Sequence, residues 1–400
     1  MKIEDIIAGS KKRRSRNSRL HRLVQPDNLY KVEPKKLSEA ARIQHVEDLI
    51  LWDGSEGAKR SLMTLRKMES SPGDATIKWD GSPAVIFGRN EAGEFILTDK
   101  SGFSASTYNG RVTSADQLAD MFLNRKMKPD ATPKDIQNKR DFAGRMRNVW
   151  SEFENATPSN YRGFVHGDLL YFDTPKEEKG RLVFAPNTTK YSVDPNSRIG
   201  QQIANSSAGV VLHAYIDLDG NTGKVDATKF VGGGLLVVPP VVVTHPAQID
   251  AAGLDQLESF VSSNAGQIDA MFDVPADLQM KNFSNMIYDY INNQTKAGTL
   301  DGLGGNFIQW VEGNAKISDK KKGRLLEYIQ QHEKAFLAVF KIISDIMKVK
   351  NDIIDQLDQQ PADITATTDG RAGGEGYVVG GDVKLVNRKN FSQANMARTR

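Results

Sequence analysis

The sequence predicts an α+β protein, and three observations carry that reading. Short apolar runs, separated by glycine-rich or polar turns, fill 74–112 and return over 163–244. From 247 to 358 apolar residues recur at helical spacing. After residue 370 the short-run texture comes back and closes the chain.

The totals narrow the function classes. At 400 residues, two or three structural units are expected. Apolar residues make up 39% and charged residues 26%, ordinary values for a globular protein. The net charge of +3 is spread unevenly. With no cysteine, disulfides, thiolate metal sites and cysteine nucleophiles are excluded. The first ten residues do not read as a signal peptide. The most apolar run, 235–243, is too short for a bilayer and is broken by Pro239-Pro240. A cytoplasmic monomer with no membrane partner is expected, in the host cytoplasm if the source is viral.

Residues 1–35 read as a basic arm, with Lys11-Lys12-Arg13-Arg14-Ser15-Arg16 at its centre. Such a run is solvated when free and suits nucleic-acid phosphates, with Lys12, Arg13 and Arg14 as the contacts. Residues 36–72 read as helical. Ser38 caps a first helix running towards Leu51, and a second over 56–68 sets Leu62, Leu65 and Met68 on one side. Pro72-Gly73 then punctuates the entry to the first strand.

Residues 73–245 form the first part of the predicted core. Strands over 74–77, 84–87 and 95–97 read as a meander, with a turn at Arg89 to Gly93. Helices follow over 114–126 and 133–155, then strands over 163–172, 181–184 and 210–216, and a β-like stretch over 226–244. Asp217-Leu218-Asp219-Gly220-Asn221 reads as a hairpin turn, because its glycines miss the position a calcium loop needs. Residues 246–360 are a helical insertion. Its strongest stretch, 320–357, carries Leu325, Ile329, Phe336, Phe340, Ile343, Met347, Ile353 and Leu357 as a packing stripe. Residues 361–400 supply a loop and then the last strands, joined through Gly380-Gly381.

Polar residues of one kind sit on separated β runs. Lys78 and Asp80 lie between the first two strands, with Gly81 permitting a turn. Asp168 lies in an apolar strand, Glu375 precedes another, and Lys384 sits in the last. A lysine held rigidly and partly desolvated can serve as a covalent nucleophile. Two amines and two carboxylates facing one cleft suit a metal-bound nucleoside triphosphate. His166 reads as a packed strand histidine, and Trp79 as either a stacking surface or core.

Lys78-Trp79-Asp80-Gly81, Lys100-Ser101-Gly102-Phe103, His166-Gly167-Asp168-Leu169, Glu375-Gly376-Tyr377-Val378-Val379 and Val383-Lys384-Leu385-Val386-Asn387 resemble, in this order, five motifs of one superfamily. These are the motifs of the covalent nucleotidyltransferases: ATP-dependent DNA ligases, RNA ligases and capping enzymes. The last resembles a compact, phage-type RNA ligase without an OB-fold domain.

The resemblance implies a nucleotidyltransferase (ATP-grasp-like ligase) core of antiparallel sheets with flanking helices. It implies ATP and Mg²⁺ (or Mn²⁺) as cofactors, and nicked or single-stranded DNA or RNA as partner. It gives Lys78 the role of nucleophile, Asp80 that of positioning metal or strand ends, and Lys384 the α-phosphate. Asp168 and Glu375 would hold metal or ribose. Phe184 would stack on adenine, and backbone near Ile77 would read the base edge. Lys100 would contact the strand, and Arg89 and Lys389 would stand in where Pro83 and Val386 replace the motifs' usual cations. Other activities left open are a non-catalytic ligase-like binder and GTP-dependent capping.

Overall fold

A computed structural model describes residues 44–105, 110–274, 283–297, 299, 302–360, 362–368, 370–374 and 376–389. The basic arm with Lys12, Arg13 and Arg14, the Ser38 cap and Glu375 lie outside the described residues. The fold is mixed α and β, with mainly antiparallel sheets.

Strand β1 (Gln44–His45) opens the described chain where the sequence suggests helix. Its partner is remote: it pairs in parallel with β15 (Val383–Leu385), a contact that local periodicity cannot report. Helix α1 (Leu49–Ser70) then bends at Gly54, whose φ of 57° favours glycine. The bend has a tertiary cause. Asp269 accepts hydrogen bonds from the Ser55 N–H at 2.7 Å and hydroxyl at 2.8 Å, and so caps the helix restart from outside.

The expected meander is half right. Strand β2 (Ala75–Ile77) does not pair with β3 (Ala84–Arg89). It pairs antiparallel with β14 (Tyr377–Val379), and β14 pairs antiparallel with β15, giving a small sheet ordered β1-β15-β14-β2. Strand β3 belongs to a second sheet, between β4 (Phe95–Asp99) and β5 (Gly163–Tyr171). Residues 78–83 are therefore a crossing between sheets rather than a hairpin turn.

On the far side of β5 lies β9 (Ala208–Ile216), flanked by β10 (Thr222–Gly223) and by β11 (Leu235–Val237), which runs parallel to it. The 217–221 segment is the expected hairpin turn, with the Asp217 N–H donating to the Asn221 carbonyl at 2.9 Å. Alternation sends Val85 and Phe87 to one face and Ile86 to the other. The first face packs under α3 (Ala115–Leu123) and α4 (Pro133–Ala156), through Phe122, Val149, Trp150 and Phe153. Helix α4 starts with a reciprocal Thr132–Asp135 capping box and a proline in its first turn.

A third sheet contains β6 (Lys176–Glu178), β7 (Arg181–Phe184), β8 (Thr189–Val193), β12 (Ile364–Thr368) and β13 (Arg371–Ala372). Strand β12 lies where the sequence suggests a loop, because its threonines carry little hydrophobic signal. Its place comes from pairing with β8 along five residue pairs.

The short helices α2 (Lys100–Phe103) and α5 (Arg198–Ala204) lie in the strand-rich part of the chain, and α6 (Ala251–Phe272), α7 (Phe283–Ala297), α8 (Leu303–Gly313), α9 (Asp319–Gln331) and α10 (Glu333–Asp358) make the helical block. The predicted stripe is buried throughout but divides at His332 into two helices. The block shares one apolar cluster with α1 and with Tyr377, Val379, Val383 and Leu385 of the small sheet. Those strand residues alternate with Thr76, Val378 and Lys384, so the latter three project to the opposite face of that sheet.

Candidate functional site

Pairing across the small sheet places Lys384 beside Val378, and Val378 beside Thr76. His45 stands opposite Lys384 on the other side. One step beyond β2, the Lys78 N–H donates to the Gly376 carbonyl at 2.9 Å. The C-terminal strands therefore lie beside the segment that carries Lys78.

The crossing segment is pinned at every step. Trp79 is 3% exposed and packs on Phe184 and Tyr191, with ring centroids 6.2 and 4.9 Å away. It is core, not a stacking platform. The Asp80 N–H donates to the Tyr191 hydroxyl at 2.7 Å, and the Asn187 amide donates to the Asp80 carboxylate. Ser82 N–H then donates to the Leu169 carbonyl at 2.9 Å, and Leu169 N–H to that of Pro83 at 3.1 Å.

Gly81 is where this clip crosses β5. A Cβ there would stand 2.6 Å from the Leu169 carbonyl oxygen and 2.8 Å from the Asp168 Cβ. The glycine serves close approach rather than an unusual turn, and the approach is what sets Asp168 beside the Lys78–Asp80 segment. Gly81→Ala is expected to cost about 1–3 kcal/mol of stability through that overlap. Urea unfolding checks it, and an unchanged midpoint would refute the packing argument.

These contacts produce a desolvated, mixed-charge cluster. Burial pulls Lys78 down to about 8, and the neighbouring Lys384 cation adds to the fall, while Asp80 and Asp168 oppose it. Burial raises Asp80 above the usual carboxylate range, against the pull of Lys78 and of the Asn187 hydrogen bond. His45 falls well below the usual imidazole value, first through burial and then through Arg388, Lys384, Lys350 and Lys78.

Sequence reasoning missed a second layer of this site. His213 Nε2 lies 2.8 Å from Asp168 Oδ2, and its ring centroid is 5.6 Å from that of His166. His166 sits at about 4, lowered by burial, then by His213 and Lys100. His213 could not be singled out in advance, because a bulge between His166 and Gly167 shifts the register that aims it. Asn187 and Tyr191 were missed too. Neither belongs to a motif, and they act on Asp80 from β8 and from the turn that precedes it.

Several expectations are corrected. Arg89 lies at the opposite end of β3, where its guanidinium donates to the carbonyls of Pro158, Gly93 and Thr157. That side chain fastens a loop and cannot replace the cation missing at Pro83. Phe184 is 7% exposed among Trp79, Tyr171 and Tyr191, so its ring belongs to the core. The Ile77 N–H is already given to the Val241 carbonyl at 2.8 Å and is not open to a base edge. Lys100 is exposed at the end of β4, one step past the Asp99–Val85 pair and thus near the Asp168 end of the sheet. Lys389 is exposed beside the buried Arg388.

Among the described residues no three His, Asp or Glu side chains are grouped to hold a metal. The carboxylates of Asp80 and Asp168 are hard oxygen donors. They fit a magnesium-sized cation only if substrate phosphates and water complete its shell. A separate cavity of about 460 Å³ opens behind Ile77, lined by Val241, Leu357, Asp358 and Tyr377, and none of Lys78, Asp80, Asp168 or Lys384 lines it.

The fold and site thus define a mixed α/β protein whose sheets gather Lys78, Asp80, Asp168 and Lys384, from distant parts of the chain, into one cluster. The chain belongs to a family of unknown function, DUF6267, whose model matches residues 41–117 and 120–400. Comparison with curated proteins and with solved structures gives no match. Among the described residues no helix is long and apolar enough to cross a membrane.

Proposed function

We propose that the protein is an ATP-dependent polynucleotide ligase. It joins 5′-phosphate and 3′-hydroxyl ends of DNA or RNA through AMP carried on Lys78. The observation that supports this most is the meeting of Lys78 and Lys384, from opposite ends of the chain, beside Asp80 and Asp168.

The chemistry assigned to the residues is as follows. The lone pair of Lys78 Nζ attacks the α-phosphorus of ATP. The bond to the β-phosphate oxygen breaks, pyrophosphate leaves with the electron pair, and the proton released from nitrogen passes to solvent. A 5′-phosphate oxygen then takes the AMP from Lys78, and a 3′-hydroxyl finally displaces AMP. Lys384 sets a fixed cation beside the phosphorus, and preorganised charge of this kind is worth roughly 10²–10³ in rate. Tyr191 and Asn187 hold Asp80 so that its carboxylate stays aimed at Lys78. A bound Mg²⁺ or Mn²⁺ would neutralise the triphosphate and polarise its phosphoryl oxygens, with Asp168 as a ligand.

Incubation with Mg²⁺ and ATP labelled at the α-phosphate is expected to label the protein through an acid-labile bond. Lys78→Ala should remain unlabelled, and 5′-phosphorylated strands should discharge the label. Absence of label, or equal labelling of the alanine variant, rejects the proposal. Label from GTP instead of ATP moves it to capping chemistry.

A further inference from the structure

At the far end of the second sheet, a surface cavity of about 550 Å³ is lined by Tyr161, Arg162, Tyr215, Lys224, Asp226 and Lys229, with Pro158 and Asn160. Its charge is unbalanced. The Asp226 carboxylate is engaged by the Thr228 N–H and hydroxyl, at 3.2 and 2.6 Å, and stands 4.0 Å from Lys229. Arg162 and Lys224 make no ion pair among the described residues. The Arg162 guanidinium is instead oriented by the carbonyls of Ser159 and Tyr161, at 3.1 and 2.6 Å. Arg162 thus also holds its own turn, while no acidic partner among the described residues calls for a cation at Lys224.

The aromatic half of the cavity is rigid. Tyr161 packs edge-on against the buried Phe230, with centroids 5.0 Å apart, and meets Tyr215 at 6.3 Å and 86°. The Tyr215 hydroxyl donates to the Arg162 carbonyl at 3.3 Å, which ties the second ring to the cationic loop. Fixed aromatic surface next to cations without acidic partners matches a unit that carries both a flat ring and a phosphate.

We infer that this cavity is a nucleotide pocket for a single-stranded polynucleotide, with the base against Tyr161 and Tyr215 and the phosphates on Arg162, Lys224 and Lys229. As a substrate-strand contact it rests on the ligase reading above. Gly163, beside the cavity, and Asp168, beside Lys78, are five residues apart on β5. That is about 17 Å at roughly 3.3 Å per residue. Tyr215 pairs with Val165 on the helix-covered face and Asp168 lies on the other, so a strand reaching both must round the end of the sheet and needs more than the roughly five nucleotides a straight path would take at about 3.4 Å each.

The test is fluorescence anisotropy with labelled 12-nucleotide and 3-nucleotide single strands, and with AMP as competitor. The wild type is compared with Lys224→Ala/Lys229→Ala and with a control pair on an exposed helix start, Lys320→Ala/Lys321→Ala. The pocket variant is expected to bind the 12-mer about tenfold more weakly and to lose about 1.4 from its salt slope, with the control unchanged. Equal loss in the control, or no loss in the pocket variant, overturns the proposal. If the variant loses competition by AMP but keeps the 12-mer, the pocket takes free nucleotide and the strand assignment is wrong. Labelling from ATP separates the two readings, since it should be unchanged in the pocket variant. A protein that binds strands through this pocket but takes no label keeps the pocket and loses the ligase.

Discussion

Self-labelling from ATP is expected to accelerate about fiftyfold between pH 6 and pH 8 and then to level off over the next unit. The argument rests on the amine that must attack. A lysine attacks only as the neutral amine, and Lys78 is pulled from 10.5 to about 8. At pH 7 about one molecule in ten then carries the neutral form, against about three in ten thousand for an ordinary lysine. Below the break, each unit of pH should change the rate about tenfold. Burial is the first cause and Lys384 the next cation. Lys384→Met should therefore move the break upwards as well as slow the reaction. Rapid-quench labelling at saturating ATP across pH 6–9.5 checks both. A flat profile would show that proton loss from Lys78 does not limit the step. A break that stays put in Lys384→Met would separate Lys384 from Lys78 electrostatically.

What the sequence made legible was local. Helical spacing found α3, α4 and the long helical block, and short apolar runs found β3, β4, β5 and β9. Motif order pointed to Lys78, Asp168 and Lys384, and the structure sets these three near one another. The failures share a physical cause. β1 and β12 exist because of partners more than a hundred residues away, and β2 pairs with β14 rather than with its neighbour. None of these pairings leaves a period in the sequence. At the site, the same blindness hid Asn187, Tyr191 and His213. They reach the cluster from β8, the turn before it and β9, so only the assembled sheets reveal them. Arg89 and Phe184 were assigned roles from linear position, and tertiary contacts gave each of them other work.

The second large effect concerns what holds Lys384 in place. Two and three residues after His45 come Glu47 and Asp48, and four residues after Lys384 comes Arg388. All three are buried, together with Lys350 of α10. Lys350 Nζ lies 2.7 Å from Glu47 Oε1, and Arg388 makes a two-pronged contact with Asp48 at 2.9 and 2.5 Å. Two acids and two bases balance, and the acids hold Arg388 above its usual value despite burial. Burial alone would drive Lys350 down, with Glu47 opposing. The cluster thus fastens β1 and the end of β15 to the helical block.

Lys350→Met is expected to cost up to about 3–5 kcal/mol in urea unfolding, because it leaves the buried Glu47 carboxylate with only a 3.5 Å contact to Arg388. Glu47→Leu alone should cost a similar amount by stranding Lys350. The double variant should recover most of either loss, since a well-packed apolar pair often matches a buried ion pair. Additive losses would mean that the charges are not coupled as the 2.7 Å contact indicates. The folded double variant also separates stability from position. If the ion pair sets the place of β1 beside Lys384, labelling from ATP should stay depressed after stability returns. If labelling recovers with stability, the cluster holds the fold together and leaves the aim of Lys384 to the sheet itself.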